Sequence, residues 1–161
     1  MANEAAAAFL ADQRRRFAEI RRRLLGTLSQ LSDEQVNWRP GVESNSVSNL
    51  VSHICGNLTQ RFVAQLGGAP DVRDRAAEFS TDLVRRGEEL QWTIDSTFDA
   101  VDEVLLKMTE ARLLEGIKMR DHEETVLHVI AQTSAHAAEH LGQIMYIAKL
   151  QLGPAWKSLN K

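Results

Sequence analysis

The sequence contains a single cysteine, three prolines and one tyrosine among its 161 residues, and it has no long apolar run. With only Cys55, the chain cannot form an internal disulfide, which favours a reducing compartment, so we expect a cytoplasmic protein. No segment approaches the roughly 18 consecutive apolar residues of a membrane span, so we expect no membrane insertion. The N-terminal segment has an acidic residue before its short alanine run and arginines after it, the reverse of a secretory signal.

An excess of positive charge is also missing. The net charge is −3 and the pI is about 6.0, so nothing in the overall charge suggests nucleic-acid binding. Six arginines do crowd the first predicted helix, where a solvated helix face explains them. They are Arg14, Arg15, Arg16, Arg21, Arg22 and Arg23. A chain of this length can bury a core of its own, and we expect one domain spanning residues 1–161.

Four long segments repeat their apolar residues at three- and four-residue steps, which predicts amphipathic helices. These helices are expected over residues 4–31, from a cap at Asn45 or Ser46 to residue 67, from residue 81 or 86 to 108, and over 124–152. A short extra helical turn is expected between the first two, from Ser32. Residues 109–123 are mixed and predict a loop or a short extended piece, and no strand pattern is visible. The sequence therefore predicts an all-α four-helix bundle.

Two histidines on the last predicted helix carry the first chemical signal. His136 and His140 are four residues apart, and at roughly 100° per residue their side chains stand one turn apart on the same helix face. A helix thereby fixes the separation of two imidazoles that can bind one divalent cation. Because a cation needs at least one more ligand, the pair predicts a partner residue on another helix.

His53, on the second predicted helix, is the candidate third ligand. It belongs to a row of uncharged polar residues beside the apolar stripe, a composition that suits the wall of a polar pocket better than a solvent face. The row is Ser46, Asn49, His53, Asn57 and Gln60. Helical bundles build metal sites from side chains on facing helices, and three neutral imidazoles with open positions are typical of catalytic sites. Histidines that only pack in the core are the alternative.

Several neighbouring residues are candidates for supporting roles. Gln132 and Gln143 lie on the side of the last helix that carries the histidine pair, and with Asn57 they are candidates to orient an imidazole or a bound water. Cys55 points roughly 200° away from His53 around its helix, which predicts a buried small apolar side chain.

One protease-like pattern overlaps the histidine pair. His136-Ala-Ala-Glu139-His140 matches the H-x-x-E-H signature of a class of metalloproteases that takes a further acidic ligand downstream. Because Glu139 is the last acidic residue of the chain, we interpret the match as chance. Glu139 remains a candidate catalytic base.

Taken together, these residues resemble the DinB/YfiT-like superfamily of bacterial candidate metalloenzymes. The resemblance covers nearly the whole chain and rests on Trp38-Arg39-Pro40, on Ser46 leading to His53 with Gly56-Asn57 after it, and on His136-x-x-x-His140-Leu-Gly-Gln143-Ile. It implies a four-helix bundle whose nickel or zinc site is formed by His53, His136 and His140. Many relatives have a further histidine where this chain has Gln132.

The resemblance also implies a function. Characterised relatives include transferases and isomerases that depend on bacillithiol, mycothiol or glutathione, and dimers are common among them. A metal-dependent enzyme with a low-molecular-weight thiol cosubstrate, a small-molecule substrate and a homodimeric assembly is therefore implied. Two alternatives stay open: a hydrolase whose metal activates water with Glu139 as base, and a non-catalytic, stress-related bundle that binds metal for stability.

Overall fold

A computed structural model describes residues 2–119 and 121–159 of the chain, and four long helices dominate it. The helices are α1 (Ala2–Leu28), α2 (Asp33–Asn37), α3 (Val47–Leu58), α4 (Arg75–Glu78), α5 (Gly87–Leu106), α6 (Glu110–Leu114) and α7 (Val126–Leu152), and the strands are β1 (Gly116–Met119) and β2 (His122–Thr125). Helix α3 passes directly into a π-helical segment, Thr59–Leu66. The predicted four-helix bundle is confirmed, and α2 is the predicted extra turn. In the part of the chain described, no helix is both long enough and apolar enough to cross a membrane.

The bundle has a crossover arrangement, because α1 and α3 each pack against both α5 and α7 and therefore lie diagonally opposite each other. Apolar side chains at the predicted three- and four-residue steps form its core. Fully or almost fully buried members include Phe17, Leu24, Leu28, Val51, Ile54, Phe62, Ile94, Phe98, Ile130 and Ile144. Burial of this continuous apolar surface is the main stabilising contribution to the fold, and it holds α3 against α7.

The start of α3 is fixed by two buried polar residues. Ser46 is the N-cap, and it forms a capping box with Asn49. The side-chain amide of Asn49 also donates to the carbonyl oxygens of Glu78 and Ser80, at 2.8 and 3.0 Å. Ser46 and Asn49 therefore do not line a pocket, contrary to the prediction for the polar row. Instead they tie the connector between α3 and α5 (residues 67–86) to the beginning of α3.

A small antiparallel hairpin follows α6, where the sequence shows no strand pattern and predicts a loop or a short extended piece. Strands β1 and β2 pair with Lys118 opposite Glu123. Each strand has four residues, and β2 has no apolar residue, so an alternating pattern cannot be recognised in it. The side-chain amide of Gln65 donates to the carbonyl oxygen of Lys118 at 2.7 Å, and Met119 is buried. The hairpin is thereby held against the π-helical segment.

Candidate metal centre

His53 on α3 and the pair His136 and His140 on α7 meet where these two helices pack. One potential ligand atom from each of the three residues lies within 4.8 Å of the others. The Nε2 atoms of His53 and His136 are 3.0 Å apart. Two nitrogens bound at about 2.0–2.1 Å to one tetrahedral ion are themselves roughly 3.4 Å apart, so small movements would allow the three rings to share a cation.

The orientation of two of these rings is set by hydrogen bonds. His53 Nδ1 lies 2.8 Å from Oε2 of Glu78, and His140 Nδ1 lies 2.9 Å from Oε1 of Gln143. A carboxylate and an amide oxygen can only accept, so we assign the protons of both rings to Nδ1. Arg73 Nη2 also lies 3.2 Å from Nδ1 of His53, but its shorter contact, 2.7 Å, is to Oε2 of Glu78, which we take as its acceptor. Nε2 of each ring is then left with its lone pair, which is the form that binds a metal.

The surroundings of His53 and His136 favour their neutral forms. Burial, reinforced by the nearby rings of His140 and His53, lowers the pKa of His136 to about 4. Burial also lowers the pKa of His53, against the opposing hydrogen bond to Glu78. Neutral imidazoles 3.0 Å apart are satisfied either by one shared proton or by one shared cation. The donor set therefore fits a divalent metal that prefers nitrogen ligands.

Glu78, which the sequence does not single out, belongs to a buried ion-pair network behind His53. Arg73 binds its carboxylate through two hydrogen bonds, Nε to Oε1 at 2.6 Å and Nη2 to Oε2 at 2.7 Å. Arg73 Nη1 also donates to Oε1 of Gln60 at 2.9 Å. Both partners of the ion pair are almost completely buried, with side chains 7 % and 8 % exposed. The network holds the Glu78 carboxylate in a fixed position against His53.

Gly56 provides the space for this ion pair. A Cβ at this position would overlap Oε1 of Glu78 and would lie 2.9 Å from its carboxyl carbon and 3.3 Å from Nε of Arg73. Only glycine therefore allows the carboxylate to lie directly against α3, one turn along the helix from His53. A glycine costs stability in the interior of a helix, so its presence in the second predicted helix is the one sequence signal that another part of the chain packs directly against the helix backbone at this point.

An open pocket of about 720 Å³ lies beside the histidines, between α3, α7, the connector and the hairpin. His53 and His136 line it, and so do four other candidate residues from the sequence: Asn57, Gln60, Gln132 and Glu139. Gln143 instead contacts His140. Among the described residues, Gln143 is the only one of the three predicted supporting side chains that is hydrogen-bonded to an imidazole of the centre. A ligand bound by the histidines could thus be reached through this pocket.

A sequence model described as "Protein of unknown function (DUF1572)" matches residues 4–160 of the chain. The chain belongs to the DUF1572 family. No curated protein matches the sequence.

The DUF1572 chain is similar in structure to several solved bacterial proteins. A DinB-like protein from Bacillus subtilis aligns with a TM-score of 0.71 at 16% identity, covering 93% of this chain and 96% of that one. A DinB-like protein from Bacillus cereus gives a TM-score of 0.69 at 15% identity, covering 90% and 91%. A conserved protein from Enterococcus faecalis gives 0.65 at 18% identity, covering 94% and 97%. The predicted DinB/YfiT-like resemblance is confirmed for the fold.

Cys55 of the DUF1572 chain takes no part in the centre. It is 3 % exposed within the core, and burial raises the pKa of its thiol to about 12. A thiol with so high a pKa is not deprotonated near neutral pH and is a poor nucleophile.

Proposed function

We propose that this DUF1572 protein is a divalent-metal-dependent enzyme that transfers a low-molecular-weight thiol to an electrophilic small molecule. The observation that carries the proposal is the meeting of three imidazoles within 4.8 Å beside an open pocket. Three protein ligands leave at least one position on a tetrahedral or octahedral ion for a substrate, whereas structural zinc sites use four protein ligands. Imidazole ligands suit both nickel and zinc.

His53, His136 and His140 would hold the cation, with His53 oriented by Glu78 and His140 by Gln143. When bound, the cation would lower the pKa of a thiol that occupies its remaining coordination position, as it does for other acidic ligands. The pocket would hold the second substrate close to the sulfur and limit its orientations.

The transfer itself would form a bond between the thiolate sulfur and an electrophilic carbon of the second substrate. The leaving group would depart with the electrons of the broken bond, and the thiol proton would go to solvent. Since Cys55 is buried with a raised pKa, the nucleophilic sulfur has to come from a cosubstrate. This supports a thiol cosubstrate over a cysteine nucleophile of the protein.

The test combines metal analysis with a thiol-conjugation assay. Purified protein loaded with zinc or nickel should bind one ion per chain and conjugate a small thiol, such as glutathione, to an electrophilic substrate. His140→Ala should lose metal and turnover together. His128→Ala is the matched control, because His128 is exposed on the same helix and outside the histidine cluster. A protein that binds neither metal, or a His140→Ala variant that binds it like the wild type, would refute the proposal.

Glu139 favours a second candidate function, metal-dependent hydrolysis. Its side chain lines the same pocket as His136, where a carboxylate could take a proton from an attacking water. In this case Glu139→Gln should abolish hydrolysis while it leaves the bound metal in place. Unchanged hydrolysis in Glu139→Gln would remove that role. If the metal raises the melting temperature and no thiol or ester substrate is turned over, a non-catalytic metal-binding protein is the better description.

The cellular setting and assembly belong to the same proposal. The single buried cysteine suits a reducing cytoplasm. A homodimer is implied by the resemblance to DinB/YfiT-like proteins, and sedimentation equilibrium of the purified protein tests it directly.

A further inference from the structure

The pocket beside the histidines carries more positive than negative charge. Three arginines line it (Arg61, Arg73 and Arg75), whereas Glu139 is the one carboxylate among its described lining residues. The chain as a whole has the opposite balance, with a net charge of −3. A cationic pocket in an acidic protein favours an anionic ligand, since the local field concentrates ions of the opposite sign.

The three arginines differ in what surrounds them. Arg73 is neutralised by its two hydrogen bonds to Glu78. Arg61 donates to Oε1 of Gln65 at 2.9 Å and contacts the sulfur of Met119 at 3.4 Å. Arg75 is exposed, and in the described part of the chain no carboxylate lies within ion-pair distance of it. Of these three side chains, Arg75 is the exposed one, whereas Arg61 and Arg73 are partly buried, so its guanidinium is the most accessible to a ligand.

Arg75 is also held in a defined position next to the metal centre. Its guanidinium carbon lies 5.0 Å from the centroid of the Phe79 ring, in a cation–π contact. The same phenyl ring lies 4.7 Å from the ring of His53, centroid to centroid. The Phe79 ring therefore contacts both an imidazole of the candidate metal centre and the guanidinium of Arg75. A stacked guanidinium keeps its donors free for bidentate binding of an oxyanion.

We propose that the small-molecule ligand of this pocket carries an oxyanion group, a carboxylate, sulfonate or phosphate, and that Arg75 binds it while the reacting end lies at the histidines. The inference rests on the proposed function for the identity of the reacting end. The amide groups of Asn57 and Gln132 line the same pocket and can donate further hydrogen bonds. The carboxylate of Glu139 opposes an anion, so it favours a ligand whose charged group lies on the Arg75 side.

The test compares matched thiols on zinc-loaded protein by isothermal titration calorimetry at low salt. The probes are 3-mercaptopropionate and 2-mercaptoethanesulfonate, which are anionic, and 3-mercapto-1-propanol, which is neutral and of similar length. Each is measured on the wild type, on Arg75→Gln, on Arg75→Lys and on Arg15→Gln, an exposed arginine of α1 that is paired with Asp12. The ratio of anionic to neutral affinity removes differences in how the sulfur binds.

We expect this ratio to fall about fivefold in Arg75→Gln, the size typical of a charge-assisted contact that remains open to solvent. Arg75→Lys should keep part of the preference, Arg15→Gln should keep all of it, and high salt should weaken it. A preference for the carboxylate over the sulfonate, or the reverse, identifies the kind of oxyanion. An unchanged ratio in Arg75→Gln would overturn the proposal and leave Arg75 as an ordinary solvated arginine.

A second arm needs no metal and no thiol. In metal-free protein, succinate or inorganic phosphate should slow the modification of Arg75 by phenylglyoxal, measured by mass spectrometry, without slowing that of Arg15. Protection in a protein that binds none of the thiols would refute the proposed function and uphold the anion site. Absence of this protection would refute the anion site, whether or not the thiols bind.

Discussion

The Nδ1 atom of His53 lies 2.8 Å from Oε2 of Glu78, 25 residues further along the chain, and both side chains are buried. The contact joins a candidate metal ligand on α3 to a carboxylate at the end of α4. Because the carboxylate accepts a hydrogen bond from Nδ1–H, Nε2 of the ring faces the other two histidines. The connector between α3 and α5 thus helps to orient the candidate metal centre.

Replacing this carboxylate should weaken metal binding. Glu78→Gln keeps the size of the side chain and removes its charge, and we expect zinc affinity to fall roughly 10- to 100-fold, as is usual when a partner of a metal-bound histidine is changed. Competition titration with a chelating dye measures it. The same variant leaves the buried Arg73 without its counter-charge, which costs about 3–5 kcal/mol of stability.

The double variant Arg73→Gln/Glu78→Gln separates the two effects, because it removes both buried charges. Its free energy of unfolding should recover in part while its zinc affinity stays low. If the affinity recovers together with stability, Glu78 supports the fold and does not orient His53.

Gly56→Ala should disturb the same network from the helix side. Its Cβ would overlap Oε1 of Glu78, and we expect a loss of about 1–3 kcal/mol in the free energy of unfolding, measured by urea denaturation. Gly142→Ala on α7 is the matched control, since a Cβ there meets nothing within 4 Å. It should stabilise the protein by about 0.5–1 kcal/mol through helix propensity. Equal effects of the two substitutions would contradict the close contact at Gly56.

The metal-free protein should lose stability as the pH falls from about 6.5 toward 4. His136 has a pKa of about 4 when folded, against an ordinary value of 6.5, so between these values the unfolded chain binds more protons than the folded one. Stability therefore rises with pH across this window and levels off above it. Urea denaturation at several pH values, with a chelator present, should give a steeper profile for the wild type than for His136→Gln. Identical profiles would show that the ring is not protected from protonation.

Cys55 should be chemically inert in the folded protein. Its thiol is 3 % exposed and its pKa is raised to about 12, so iodoacetamide should label it only after unfolding in guanidinium chloride. Cys55→Ala should cost about 1 kcal/mol of stability through the small cavity it leaves, and it should bind as much zinc as the wild type. Rapid labelling of the native protein, followed by mass spectrometry, would contradict this prediction.

Local patterns in the sequence are sufficient to predict the bundle. The apolar steps set the four long helices, and Ser46 marks the start of α3 because a serine before an apolar stripe can cap the free backbone N–H groups. The hairpin escapes prediction, since two strands of four residues are formed by pairing and by docking on Gln65 rather than by their own composition.

The sequence by itself determined that His136 and His140 share one face, because helix geometry fixes residues four apart, and it singled out His53 as their partner. Only the tertiary structure decided that Glu78 and Arg73 stand behind His53. In the sequence they belong to a polar connector like many exposed ones, and nothing local distinguishes them. They acquire their role because α3 has no side chain at Gly56 and because Asn49 binds the backbone of the connector, two contacts that exist only once the chain has folded.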